Sequence, residues 1–312
     1  MNTLRLRKLY HADRSSFHIF LGYSFGYPFF VEVCMKYLFF DVDGTLLGKS
    51  RHITENTITK LNALKDKGHH IFICTGRAPT SIVSGNLERV PADGFIASAG
   101  GFVKVGNEFI FKNYMDSDIL TEVITLFVNH KVLFALETEK AIYQSPGVNE
   151  FFDNMHHREF GDNVELQRFF ELKREKENRV PLSEFDPAKI GVTKVAFIAT
   201  DRYQFLDIVQ YLSDHFNIVT FSSENNDFIN GEIILKNCTK ADGIKRIINY
   251  YHADMKDTVG FGDSMNDYQM IQECAIGVVS LKAPEKLKAL GDYFFDDPDQ
   301  DGIVKVINEM HL

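Results

Sequence analysis

An apolar run closes on two carboxylates one residue apart: Phe39-Phe40-Asp41-Val42-Asp43-Gly44-Thr45-Leu46-Leu47. The pattern reads as a buried strand whose C-terminal end delivers both acids to one edge of a sheet. Strand alternation sends Asp41 and Asp43 to the same side. Like charges held that close repel, so a divalent cation, or a proton kept on one of them, has to compensate. The plainer reading of the same residues is a strand running into an Asp-Gly turn.

Three further signals fall at strand ends or helix starts. Ile73-Cys74-Thr75-Gly76-Arg77 ends a strand in a hydroxyl and a glycine, where a phosphate could meet backbone N–H groups. Thr239-Lys240 opens a helix and brings an ammonium toward the same edge. Gly260-Phe261-Gly262-Asp263-Ser264-Met265-Asn266-Asp267 ends a strand in a second acidic pair with an asparagine. Taken singly, Thr75 reads as a cap, Lys240 as a surface lysine, and Asp263 and Asp267 as caps of the following helix. Four such signals in this order point to one assembled site.

The elements that must position them alternate. Strands are expected at Tyr37–Val42, His70–Cys74, Phe95–Ser98, Thr258–Phe261 and Ala275–Val279. Ile58, Leu61 and Leu64 mark a helix capped by Thr54 and closed by Gly68. A second helix follows Arg77, and a hairpin turns at Gly106-Asn107. Ile244, Ile247, Ile248 and Tyr251 mark the helix opened by Lys240. Ile303, Ile307 and Met310 line a final one. Apolar strands alternating with helices imply a parallel sheet covered on both faces, with ligands at the carboxyl ends of its strands.

The middle third departs from this rhythm. Helices carrying Leu120, Val123, Ile124 and Phe127, then Phe205, Ile208, Val209 and Leu212, mix with strands at Val132–Thr138, Val192–Ala199, Asn217–Phe221 and Phe228–Leu235. The charge-rich Glu171–Asp186 reads as a solvated loop or helix face. The expected organisation is an α/β protein. A Rossmann-like parallel-sheet core spans 35–115 and 231–312, and an α+β domain at 116–230 is inserted into it. Residues 1–34 carry Arg5, Arg7, Lys8 and Arg14 before an apolar stretch broken by glycines and Pro28. They read as a disordered extension outside the core, with no small-residue cleavage site, or as residues ahead of a true start at Met35.

Composition narrows the function. The chain has 312 residues, is 45% hydrophobic and 25% charged, and carries a formal charge of −9, which disfavours nucleic acid and anionic membranes as partners. No apolar stretch is long enough to span a bilayer as a helix. Cys34, Cys74, Cys238 and Cys274 form no CxxC pair and read as reduced thiols, which implies a cytoplasmic location. Oligomeric state is not legible.

On these motifs the chain from Met35 onward resembles the haloacid dehalogenase superfamily, and most of all its Cof-like branch of small-metabolite phosphatases. The gap from Asp43 to Thr75 is too short for a domain, whereas that from Thr75 to Lys240 is not, which places the inserted cap as in that branch. The resemblance implies a Mg²⁺-dependent phosphatase of a small phosphorylated metabolite, such as a sugar phosphate, working through an aspartyl-phosphate. It implies Asp41 as nucleophile and Asp43 as general acid, then base. The Asp41 carboxylate, the Asp43 backbone carbonyl, Asp263 and Asp267 (directly or through water) would hold the metal. Thr75, Gly76, Lys240 and Asn266 would hold the phosphate. A phosphomutase, or a non-catalytic sensor of a phosphorylated ligand, are the alternative readings. The chain departs from the family at Ala99-Gly100-Gly101, where Asn-Gly-Ala is usual. A side-chain amide is therefore missing near the cap hinge or the substrate.

Overall fold

The computed structural model describes residues 8–10, 16–24, 27–79, 82, 86–155, 178–220, 228–236 and 238–312. The helix expected after Arg77 falls largely outside them, as does much of the charge-rich stretch at 171–186.

The larger sheet has eight strands. In spatial order they are Tyr293–Phe295, Ile276–Ser280, Thr258–Gly262, Tyr37–Phe40, His70–Cys74, Gly94–Ala97, Phe102–Val105 and Glu108–Lys112. The first six run parallel, and the last two turn back as the expected hairpin, with Val105 opposite Glu108. Alternation along Tyr37–Phe40 divides two cores. Leu38 and Phe40 pack with Ile71, Ile73, Leu61, Leu64, Ile303 and Ile307 on one face. Phe39 packs with Phe72, Ile96, Ile244, Ile247 and Met270 on the other. Burying both faces is why these strands read as nearly continuous apolar runs. The strand that ends in Asp41 lies at the centre, between those ending in Asp263 and Thr75.

The smaller sheet has six strands, in the order Arg179–Pro181, Ile142–Gln144, Leu133–Thr138, Val192–Ala199, Ile229–Leu235 and Phe216–Thr220. Helices Ser117–Asn129 and Arg202–His215 bury their apolar stripes against one face, through Leu120, Val123, Phe127, Phe205, Ile208 and Leu212. The strand Ile229–Leu235 belongs wholly to this sheet, so the chain, expected to re-enter the core at 231, does so only after Leu235.

The described residues before Met35 form strands despite the glycine and Pro28 among them. Lys8–Tyr10, Ser16–Ser24 and Tyr27–Cys34 pair as a separate three-stranded antiparallel sheet. Aromatic and β-branched residues favour strands, and Pro28 lies in an edge strand, where a missing N–H costs least. Among the described residues no helix is long and apolar enough to cross a membrane.

Candidate active site

Four strand ends and helix starts converge at the carboxyl edge of the larger sheet. The Asp41 amide donates to the Phe261 carbonyl at 2.9 Å, which ties the first acidic strand end to the strand leading into Asp263. Asp41 is buried at 3% exposure. Its Oδ1 lies 2.5 Å from Lys240 Nζ, and the same ammonium lies 2.5 Å from Asp267 Oδ1 and 3.4 Å from Asn266 Oδ1. Lys240 stands in the first turn of helix Lys240–Tyr251, where the helix dipole disfavours a cation. Thr239 and Asp242 close a capping box there, and Asp41 and Asp267 hold the buried ammonium.

The site is electrostatically loaded. Burial pushes the Asp41 carboxyl up to about 7, against the pull of Lys240 and with help from Asp267 and Asp43. Burial, then Asp41 and Asp267, raise Asp263 well above the usual carboxylate range. Burial works against the charge on Lys240, but Asp267 and Asp41 outweigh it and its pKa rises.

Asp41, Asp263 and Asp267 each offer a carboxylate oxygen, all within 4.8 Å of one another. Hard oxygen donors at this spacing suit Mg²⁺, and a bound cation would relieve the repulsion that raises Asp41 and Asp263. Thr45 Oγ1 donates to Asp263 Oδ1 at 3.1 Å. Gly44 sits at φ +86°, and a Cβ there would meet Asp263 Oδ2 at 2.2 Å, so only glycine lets this turn pass the carboxylate. Asp267 Oδ2 accepts from the amides of Asp263 and Ser264 at 3.0 and 3.1 Å. Asp267 thus holds its own loop as well as Lys240.

The compensation demanded by Asp41 and Asp43 comes from two different cations. The regular strand stops at Phe40, and the chain turns at Val42, whose carbonyl accepts from Leu47 at 2.8 Å. Asp41 meets Lys240, whereas Asp43 meets Arg77 in a two-armed contact: Nε to Oδ2 at 2.9 Å and Nη2 to Oδ1 at 2.7 Å. Arg77, 1% exposed, was not among the sequence candidates. Its signal was an arginine directly after the Thr75-Gly76 strand end.

Thr75 Oγ1 accepts from the Arg77 amide at 3.1 Å, and the Thr75 carbonyl accepts from Ala99 at 3.2 Å. The Gly76 carbonyl accepts from Lys194 Nζ at 2.8 Å. Lys194 is fully buried in the smaller sheet and also pairs with Glu137 Oε1, at 3.1 Å, and with Glu232. It too escaped sequence reasoning, although a lysine inside the apolar run Val192–Ala199 is the kind of anomaly that marks a built site.

A sheet with helices on both faces, an acidic cluster at its carboxyl edge and an inserted second sheet defines a class of phosphoryl-transfer fold. A family profile of haloacid dehalogenase-like hydrolases matches residues 38–307. YkrA of Bacillus subtilis is 28% identical over 282 residues, 89% of this chain and 98% of that one. YitU of the same organism, named as a 5-amino-6-(5-phospho-D-ribitylamino)uracil phosphatase, is 24% identical over 274 residues, 86% of this chain and 95% of that one. The solved structure of BT4131, described as a subclass IIB sugar phosphatase of the same superfamily, superposes with a TM-score of 0.71 at 26% identity, covering 89% of this chain and 99% of that one. The chain belongs to the haloacid dehalogenase-like hydrolases, in their Cof-like phosphatase branch.

Proposed function

We propose that this phosphatase is a Mg²⁺-dependent phosphomonoesterase of a small phosphorylated metabolite of the sugar or sugar-alcohol class, working through an aspartyl-phosphate. One observation carries the reading: buried Asp41 shares an edge with a lysine and two further carboxylates whose oxygens lie within 4.8 Å. The sugar class draws on the descriptions of YitU and BT4131.

The Asp41 carboxylate attacks phosphorus in line, and the bond to the leaving oxygen breaks. Asp43 gives that oxygen its proton, then takes one from the water that hydrolyses the aspartyl-phosphate. Thr75 Oγ1, the Gly76 amide, the Lys240 ammonium and the Asn266 amide hold the phosphoryl oxygens. The Asp41 carboxylate, the Asp43 backbone carbonyl and Asp263 would hold Mg²⁺, with Asp267 directly or through water. The metal would supply charge neutralisation at the phosphoryl group. The smaller sheet and its helices, from 116 to 235, act as the cap that excludes water and grips the leaving group. The free thiols of Cys74, Cys238 and Cys274 agree with a cytoplasmic enzyme.

Rapid-quench measurement of phosphoenzyme tests the roles. Asp41→Asn should form none. Asp43→Asn should form it about 10²–10⁴-fold more slowly with an alkyl phosphate, and lose less with p-nitrophenyl phosphate, whose leaving group needs little protonation. Phosphoenzyme in Asp41→Asn, or equal first-step losses for both substrates in Asp43→Asn, overturns the assignment.

A further inference from the structure

The loop between the strand Thr258–Gly262 and the helix Tyr268–Glu273 carries a hydroxyl that the catalytic steps leave unused. Ser264 Oγ lies 2.9 Å from Asn266 Oδ1. Lys240 Nζ reaches the same oxygen at 3.4 Å. An ammonium can only donate, so the atom it faces is the amide oxygen and not the nitrogen. The Ser264 hydroxyl meets that same atom and therefore donates as well. Both donors fall on one end of the Asn266 amide, which turns Nδ2 the other way.

The two donors are not equivalent. Lys240 is shared: its Nζ lies 2.5 Å from Asp41 Oδ1 and 2.5 Å from Asp267 Oδ1, and its reach to Asn266 is the longest of the three. It also comes from a different helix, Lys240–Tyr251. Ser264 stands in the same loop as Asn266, and that loop is fixed from beneath. The amides of Asp263 and Ser264 donate to Asp267 Oδ2 at 3.0 and 3.1 Å, and Asp267 is fully buried. The hydroxyl thus stays in place when the ammonium turns to a phosphoryl oxygen. The last torsion of an asparagine is broad and roughly two-fold, so an amide without a close partner on its oxygen can turn over. Turned over, it would set its own oxygen against the phosphoryl oxygens, acceptor against acceptor.

We infer that Ser264 is a positioning residue for the phosphoryl group: its hydroxyl holds Asn266 Oδ1 and keeps Asn266 Nδ2 aimed at the phosphoryl oxygens. The inference rests on the phosphate-holding role proposed for Asn266 and adds the group that orients it. Ser264 touches neither phosphorus nor the leaving group in the proposed steps. Its effect therefore falls on the phosphoryl group, whatever that group is attached to.

Turnover of p-nitrophenyl phosphate and of an alkyl phosphate, with inhibition by inorganic phosphate, tests it in the wild type, Ser264→Ala, Ser264→Thr, Asn266→Ala and the double alanine variant. Ser264→Ala should lower kcat/KM by about three- to tenfold, the worth of one hydrogen bond, and equally for both substrates. It should raise the inhibition constant of phosphate by a similar factor. Ser264→Thr should restore most of the rate, because Ser264 is extended at φ −133° and ψ 171°, a conformation that suits a β-branched residue. In the Asn266→Ala background, Ser264→Ala should add nothing. A hydroxyl that only supported the loop would cost as much there as in the wild type. Thermal melting shows whether each variant is folded, and Ser264→Cys, which weakens the donor at similar volume, replaces an alanine variant that is not. Equal losses in the two backgrounds, a threonine as impaired as alanine, or an unmoved phosphate constant overturns the inference. An Asn266→Ala variant with wild-type turnover overturns it too, by removing the role of Asn266. In each of these cases phosphate release that Asp41→Asn abolishes leaves the catalytic reading standing, whereas release that survives Asp41→Asn removes both.

Discussion

Arg77 engages both carboxylate oxygens of Asp43 at once, through Nε at 2.9 Å and Nη2 at 2.7 Å, from a position that is itself almost fully buried. A planar fork of this kind fits a carboxylate and fixes its plane. A protonated oxygen cannot accept in the same way, so one arm must open before Asp43 can act as an acid. Arg77 therefore positions Asp43 without touching the substrate in the proposed steps. Arg77→Met should lower kcat for alkyl phosphates by about 10²-fold and for p-nitrophenyl phosphate by much less, with Arg77→Lys between, because lysine cannot fork. Steady-state rates over a series of leaving groups check this. Equal losses across the series would mean that Arg77 only supports the fold.

Lys194 ties the smaller sheet to the loop that carries Thr75 and Arg77. Removing its charge takes a buried cationic partner from both Glu137 and Glu232. Lys194→Met should cost about 3–5 kcal/mol of stability, read from urea unfolding. Adding Glu137→Gln should recover part of that loss. Turnover should stay slow in the double variant, because the Gly76 carbonyl still lacks its donor. Full recovery of rate together with stability would make the Gly76 contact incidental.

The Lys36 amide donates to His69 Nδ1 at 3.1 Å, which needs a neutral ring. Burial, then the nearby charges of Lys67 and Lys36, with His70 and Lys60 behind them, pull His69 from 6.5 down to about 4. A folded value below the unfolded one means that this contribution is complete above about pH 6.5 and is lost as pH falls toward 4. The wild type should lose on the order of 2 kcal/mol more than His69→Asn over that window, by urea unfolding at each pH. Parallel losses in the two proteins would remove His69 as the cause.

Much of the site could be read locally. Asp41, Asp43 and Asp263 come at the ends of apolar strands, Asp267 follows four residues after Asp263, and Lys240 follows a capping threonine. Those patterns are set by neighbours in the chain and survive folding. The pairings that organise the site are not local. Arg77 meets Asp43 across 34 positions, and Lys194 meets Gly76 across 118. Each depends on which strands become neighbours, and periodicity along one strand carries no such information. The place of Ile229–Leu235 is non-local in the same way: its pairing with Val192–Ala199 and Phe216–Thr220 puts it in the smaller sheet. Lys8–Tyr10, Ser16–Ser24 and Tyr27–Cys34 pair with one another, and their interrupted pattern carries no strict alternation that would announce it.

The departure from Asn-Gly-Ala also has a backbone meaning. Ala99 lies in the left-handed region at φ +53° and ψ 31°, beside Gly100 at φ +108°. A Cβ on Gly100 would meet the Thr239 carbonyl at 2.3 Å, so glycine is required there. Ala99 has no such excuse: alanine in this conformation costs about 1–2 kcal/mol, whereas asparagine enters it far more readily. The strained peptide is held by the bond from the Ala99 amide to the Thr75 carbonyl, directly behind the proposed phosphate loop. Ala99→Asn should raise stability by about 0.5–1 kcal/mol, seen as a higher Tm and urea midpoint. Ala99→Gly should gain less, because glycine also loses more entropy on folding. If the missing amide also served the substrate, Ala99→Asn should change KM along with Tm. A lower Tm for Ala99→Asn would mean that the side chain, not the backbone, decides this position.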